Sequence, residues 1–185
     1  RIEALSSTDA LTGLFNRRQM AQAISDAIRQ ARRSAGTLAL LLLDLDRFKQ
    51  INDSLGHEVG DRVLLDCADR LKTCLRQGDL VARVGGDQFA LLVHEADSRG
   101  AEAAARRVLD AVSHPCSVEG LQFTLTCSVG VALYPSDGAD ADQLLRNAET
   151  AMQRAKVGGR ACYRFHQQRH DADLRQRMRL DHAMR

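Results

Sequence analysis

The stretch TLALLLLDLD, residues 37–46, limits the fold more than any other. Residues 38–43 run without a polar break and show no amphipathic period. A run that short cannot cross a membrane. A strand wetted on one face would alternate, so the run predicts a central strand buried on both faces. Such a strand needs cover on each side, and the chain must therefore supply helices for two layers around one sheet. With 185 residues, 44% of them hydrophobic, it is long enough for one such domain and a tail. The run ends in acid, at Asp44 and Asp46.

The flanking segments supply that cover. Asn16 is a natural cap for a helix running to about Ala35, with Met20, Ile24, Ala27, Ile28 and Ala31 on one face and Gly36 as its stop. A short helix is expected around RFKQIND, ahead of Gly56. The spacing of Leu64, Cys67, Ala68, Leu71, Cys74 and Leu75 predicts another from Glu58 to about Arg76. LVARV and FALLVH read as two strands joined at a glycine turn. SRGAEAAARRVLDAVS reads as a helix, LQFTLTCSVGVALYP as one strand, ADQLLRNAETAMQRAK as a helix and ACYRF as a short closing strand. Behind the first helix the expected order is β-α-α-β-β-α-β-α-β. That is an α/β (α+β) domain, a central mixed sheet flanked by helices, with its single hairpin at the glycine tip. Residues 1–8 read as the end of a linker helix, 9–166 as the domain and 167–185 as a polar, basic C-terminal linker helix.

Composition excludes several classes. A net charge of +2 argues neither for nor against nucleic acid, and no nucleic-acid partner is expected. The five cysteines, Cys67, Cys74, Cys116, Cys127 and Cys162, form no CxxC pair, so zinc is not indicated and buried, reduced thiols are expected. The odd count fits a cytoplasmic chain better than a secreted one. No signal peptide is visible. The chain opens mid-pattern without an initiator Met, as expected for a piece of a longer protein whose remainder is free to carry a membrane anchor.

The chemistry gathers at RVGGDQF, residues 83–89. A tight turn needs only two turn residues, yet Gly85 and Gly86 are followed by Asp87. If this hairpin lies beside the central strand, Asp87 and Asp44 converge on one point. Two hard oxygen ligands with room for water and phosphate suit Mg²⁺. Glycines lacking a Cβ let a phosphate or base approach the backbone. Lys156 and Arg160 in AKVGGR, with Lys49 on the short helix, are placed to neutralise a triphosphate. This points to metal-assisted phosphoryl or nucleotidyl transfer. The plainer alternatives stay open: an acid leaving a buried strand, and a turn that is only a turn.

Five motifs occur in order: DALTGLFNRR, DLDRFKQINDSLGHEVGD, RVGGDQF, TCSVGVALYP and AETAMQRAKVGGR. Over roughly residues 6–166 they resemble the GGDEF domain of the diguanylate cyclase family. The resemblance implies a fold similar to adenylyl cyclases and polymerase palms, and condensation of two GTP into cyclic di-GMP with Mg²⁺ or Mn²⁺. By position it implies metal ligation by Asp44, the Leu45 carbonyl and Asp87, with Asp87 also helping to activate the attacking 3′-hydroxyl. It implies guanine reading by Asn52 and Asp61. It further implies GTP contacts at Phe48, Lys49, His57, Gly85, Gly86, Lys156 and Arg160. Each domain holds one GTP, so a homodimer is expected to bring two half-sites face to face.

The segment RQGD, residues 76–79, ends five residues before Gly85 or so, at the offset of the family's product-inhibitory site. There Arg76 and Asp79, with Arg107 as a second arm, are expected to grip cyclic di-GMP in a pocket on a different face of the hairpin from GTP. Three positions depart from the family pattern. Gln88 stands where members usually carry Glu, Ala161 where many carry Asn, and Gln153 where Tyr is common. Gln88 keeps size and hydrogen bonding but brings no negative charge to a metal. The tail LRQRMRLDHAMR resembles linkers to EAL phosphodiesterase domains, so a covalently attached sensor and an EAL domain are expected partners. The alternative to a cyclase is an inactive GTP- or cyclic di-GMP-binding module that regulates such a neighbour.

Overall fold

The structure, a computed structural model, describes residues 6–167. The apolar run forms β1, Leu38–Leu45, with every residue buried. On one side it pairs antiparallel with β3 (Gln88–His94), which pairs with β2 (Leu80–Arg83). On the other it pairs antiparallel with β6 (Cys127–Tyr134), which pairs parallel with β7 (Tyr163–Phe165). The mixed five-stranded sheet has the order β2-β3-β1-β6-β7, with the expected central strand in the middle.

The pleat divides β1 between two cores. Ala39, Leu41, Leu43 and Leu45 join the core beneath α2 (Phe48–Leu55), α3 (His57–Thr73) and α4 (Ser98–Ser113). Leu38, Leu40 and Leu42 join the core beneath α1 (Arg17–Ser34) and α5 (Ala141–Val157). Each buried leucine contributes about 1.5–3 kcal/mol relative to exposure. By the same alternation Asp44 follows Leu42 toward the α5 side.

Helix α5 approaches β6 so closely that a Cβ on Gly130 would lie 2.1 Å from the Ala148 carbonyl oxygen and 2.3 Å from the Met152 nitrogen. At the head of α1, Asn16 accepts from the Gln19 amide at 2.9 Å, as its sequence position implies. The helix stops with Ala35, not Gly36, in the left-handed conformation.

Four expectations are corrected. The predicted strand over LQFTLTCSVGVALYP breaks into β5 (Leu121–Phe123) and β6, and β5 pairs with a strand not foreseen, β4 (Cys116–Val118). The break falls where the Thr126 carbonyl accepts from the Asp46 amide at 2.9 Å, outside any ladder. The glycine tip is therefore one of two hairpins, the other turning at Glu119 and Gly120, both with positive φ. Helix α3 ends at Thr73 rather than Arg76, because the Arg76 amide is taken by the Asp79 carboxylate at 3.1 Å. Ser6–Thr8 are not helical; Thr8 bridges to Phe15. The proposed C-terminal linker helix lies outside the described residues apart from Gln167.

The five cysteines form no disulfide; four are buried and Cys162 is half-buried. Burial pushes the Cys67 thiol up to about 12. Among the described residues no helix is long and apolar enough to cross a membrane.

Candidate functional site

The register of β1 against β3 places Asp44 opposite Gln88, with the glycine turn just beyond. The Leu45 amide donates to the Asp87 carbonyl at 3.1 Å, extending the pairing past the strand end. The expected convergence of Asp44 and Asp87 is thus built by two adjacent strands. Burial first, and then the Asp44 charge beside it, push the Asp87 carboxyl up to about 6. Two carboxylates that repel in this way form a donor set that a divalent cation fits. Among the described residues no group of three or more His, Cys, Asp or Glu forms a metal cluster, so any cation there would lean on this pair and on backbone oxygen.

Lys156, from the last turn of α5, reaches Asp44 Oδ2 at 2.5 Å. The Gln88 side-chain amide donates to the same oxygen at 3.4 Å. Neither Gly85 nor Gly86 has a left-handed φ, so the turn itself does not require glycine. A Cβ on Gly86 would meet nothing within 4 Å, and one on Gly85 would meet only the Gln88 side chain, at 3.3 Å from Oε1. What the glycines leave is open space in front of the turn.

Gly60, which directly precedes Asp61 on α3, lies against Asn52 on α2. A Cβ on Gly60 would lie 1.8 Å from Asn52 Oδ1, and that oxygen is buried without a hydrogen-bond partner. A buried amide oxygen with no partner among the described residues asks for a donor. Phe48 is buried at the start of α2, whereas Lys49, His57 and Arg160 are exposed.

Three residues that sequence reasoning missed hold the turn. Arg83 donates from Nε and Nη2 to the Gly86 carbonyl at 3.1 and 2.8 Å, and from Nη1 to both Asp9 oxygens at 3.2 Å. Asp9 also accepts from the Thr12 amide and hydroxyl at 2.8 Å. Burial raises the Asp9 carboxyl, but the Thr12 donors and Arg83 more than offset it and leave it lowered. The only sequence signal for this clamp was the DALTG motif itself, since Asp9 and Arg83 lie far apart in the chain.

The second site differs from its expectation. The Asp79 side chain is 2% exposed. Its carboxylate accepts from the Arg76 amide at 3.1 Å, Arg76 Nε at 3.4 Å and the His94 amide at 3.0 Å. It points inward, not into an open pocket shared with Arg76, because these donors surround it. Arg76, half exposed, also donates to the His94 carbonyl at 2.5 Å. Arg107 lies close by, donating to the Cys74 carbonyl at 3.3 Å. Arg76 and Asp79 sit by the start of β2 and the end of β3, whereas Gly85–Asp87 lie at the other end. The two sites therefore occupy opposite ends of one hairpin, about 20 Å of strand apart, not different faces of it.

Comparison with known proteins gives the family. Residues 6–162 match the family model "Diguanylate cyclase, GGDEF domain". The bifunctional diguanylate cyclase/cyclic di-GMP phosphodiesterase MucR of Pseudomonas aeruginosa is 36% identical over 98% of this chain, which spans 26% of MucR. The diguanylate cyclase DgcS of Shewanella oneidensis is 36% identical over 85% of this chain and 52% of its own length. Among solved structures, the GGDEF domain of TpbB from P. aeruginosa superposes with a TM-score of 0.84 at 37% identity, covering 91% of this chain and 99% of that one. The GGDEF domain of DgcB from Caulobacter crescentus, solved with c-di-GMP, superposes with a TM-score of 0.81 at 26% identity, covering 87% and 96%. The chain belongs to the GGDEF domain family, and its fold is the palm-like fold of that family. It spans about a quarter of the length of the first curated relatives it matches, at 23%, 26% and 21%.

Proposed function

We propose that this domain binds GTP at the glycine tip and condenses two GTP into cyclic di-GMP as a face-to-face homodimer. The observation that carries the reading is the Asp44–Asp87 pair in front of an empty glycine turn. Asp44, Asp87 and the Leu45 carbonyl would hold Mg²⁺ or Mn²⁺, which supplies Lewis-acid polarisation of the phosphate and of the attacking hydroxyl. Asn52 and Asp61 take the guanine edge, satisfying the orphaned Asn52 oxygen. Gly85 and Gly86 admit the nucleotide, and Phe48, Lys49, Lys156 and Arg160 take the phosphates. Lys156 now sits on Asp44 and turns to the triphosphate when the carboxylate is otherwise engaged. The 3′-oxygen of one GTP forms the new bond to the α-phosphorus of the other, pyrophosphate leaves, and Asp87 is the near acceptor for the hydroxyl proton. The parent protein is read as cytoplasmic at this domain, with covalently linked sensor and EAL domains.

A second reading rests on one contact. Gln88 places an amide donor against Asp44 where the family pattern usually has a carboxylate. That favours a domain that binds GTP or cyclic di-GMP without turnover and reports to an attached phosphodiesterase. Labelled GTP at several protein concentrations separates the two. A rate per domain that rises with concentration supports the dimeric cyclase. No product at any concentration, with turnover appearing in Gln88→Glu, supports the binding module.

A further inference from the structure

His94, the last residue of β3, touches both members of the Arg76–Asp79 pair. Its amide donates to Asp79 Oδ1 at 3.0 Å, and its carbonyl accepts from Arg76 Nη2 at 2.5 Å. Its ring comes near as well, with Nδ1 3.7 Å from the same Asp79 oxygen. That is close enough for an ion pair and too far for a hydrogen bond. Nδ1 is nevertheless buried, and it has no hydrogen-bond partner among the described residues. With its proton on the other nitrogen, a neutral ring sets a lone pair beside the carboxylate. A protonated ring sets a donor there.

Few other charges bear on the ring. The next residue, Glu95, is exposed, with a left-handed φ of 50°. His94 and Glu95 share a cavity of about 90 Å³ with Ala27, Gln30, Ala31 and Ser34 of α1, none of them charged. In the last turn of α1, Arg32 donates to the Ala139 carbonyl, and neither it nor Arg33 lines the cavity. β1 brings Leu38 opposite His94, and Arg107 of α4 is held on the Cys74 carbonyl. Asp79, in turn, holds Arg76 loosely. Arg76 Nε lies at 3.4 Å, against 3.1 and 3.0 Å for the two backbone amides, and the Arg76 side chain is 53% exposed. Of its three donors, this guanidinium is the one Asp79 gives up most easily.

We propose that His94 is a positioning residue of the Arg76–Asp79 site and a proton-operated latch on it. While the ring is neutral, Arg76 is held across Asp79 and the His94 carbonyl, and its fork is spent inside the protein. When the ring takes a proton, Nδ1 donates to Asp79 Oδ1 and meets the carboxylate's charge from within. Arg76 is then released to an anionic ligand. Histidine is the side chain whose charge changes between about pH 5 and 8, so the site tightens on a guanine–phosphate ligand in mild acid. The inference rests on reading Arg76 and Asp79 as a cyclic di-GMP site and adds His94 and its proton to that reading.

The test has two arms, both on the full chain. Calorimetry with cyclic di-GMP at about pH 6 and about pH 8 should show roughly tenfold tighter binding at the lower value, the worth of one charge-assisted hydrogen bond. In His94→Gln, which keeps the backbone contacts but takes no proton, the two affinities should be equal. GTP-analogue binding should respond to pH alike in parent and variant. In the second arm, NMR of the ligand-free parent follows the His94 ring and the Arg76 Nε–H through the same pH range. The Arg76 signal should move along the His94 titration. A pH dependence that survives His94→Gln, or a parent that binds cyclic di-GMP equally at both values, overturns the latch. If cyclic di-GMP binds at neither pH but the Arg76 signal tracks His94, the latch stands and the ligand reading fails. If cyclic di-GMP binds and the Arg76 signal ignores His94, the latch alone fails. Thermal melts establish that His94→Gln folds; if it does not, the NMR titration of the parent decides.

Discussion

Replacing Gln88 by Glu should make the stability of the domain depend more steeply on metal. In the present site the Gln88 amide donates to Asp44 Oδ2 at 3.4 Å, a long contact worth about 0.5 kcal/mol. A carboxylate in its place removes that contact and sets a further negative charge, beside that of Asp87, about 4 Å from Asp44. Two unit charges at that distance repel by roughly 4 kcal/mol at an effective dielectric of about 20. The site is open to solvent on the glycine side, and screening lowers this to roughly 1–2 kcal/mol. At about 2–4 °C per kcal/mol for a chain of this size, the metal-free melting temperature of Gln88→Glu falls by roughly 2–8 °C. With a divalent cation in place the added charge becomes attractive, and about 1.4 kcal/mol corresponds to tenfold tighter binding. Scanning calorimetry of both proteins in EDTA and across a MnCl₂ titration reads both effects. The two melting curves should cross, the variant less stable without metal and gaining more with it. A variant as stable as the parent in EDTA, or one with an unchanged Mn²⁺ titration, refutes the idea that residue 88 faces a cation site.

The remaining predictions use other parts of the structure. Asp87 titrates near 6 in the fold but near 3.8 when unfolded, so between those values the folded state binds the extra proton and metal-free stability falls as pH rises; above about 6 the loss is complete. Melting without metal at pH 4.5 and 7 should show this difference, and Asp87→Asn should shrink it. Gly130→Ala forces a Cβ onto the Ala148 carbonyl and the Met152 nitrogen, displacing α5, and should cost about 1–3 kcal/mol by denaturant titration together with weaker GTP binding through Lys156. Asp9→Ala releases Arg83 from its bidentate partner and loosens the glycine turn; GTP-analogue affinity should fall while cyclic di-GMP binding at Arg76 holds. Arg76→Ala should weaken cyclic di-GMP roughly ten- to a hundredfold by calorimetry and leave GTP-analogue binding unchanged, since a charge-assisted grip is worth about 1.5–3 kcal/mol; equal loss of both ligands would mean that Arg76 supports the fold.

What could be read in the chain was what neighbours in sequence decide. The apolar run 38–43 required a strand covered on both faces, and β1 is that strand. The periodic apolar positions of α1 were all found buried, and its Asn16 cap was legible because a cap acts within three residues. Where a partner lies far along the chain, the reading failed. LQFTLTCSVGVALYP looks uniform, and its break at 124–126 depends on Asp46, about eighty residues earlier, drawing in the Thr126 carbonyl. Helix α3 looked longer because Cys74 and Leu75 keep its period, but Asp79 removes the Arg76 amide from it.

The two acids of LLLDLD show the same division within a single motif. Sequence placed both at a strand end and gave no means to tell their tasks apart. Strand pairing separates them. Asp44, still inside the ladder, keeps the alternation and is delivered to Lys156 and the glycine turn. Asp46, past the last pair, is free of the ladder and is captured by Thr126, Ser128 and Ala161. Its burial is tolerable only because those three donors fill the carboxylate. One acid is therefore delivered to Lys156 and the glycine turn, and the other is consumed in fixing the loop that carries Arg160. The difference arises from partners 44 to 115 residues away, so no local pattern in the motif could have assigned it.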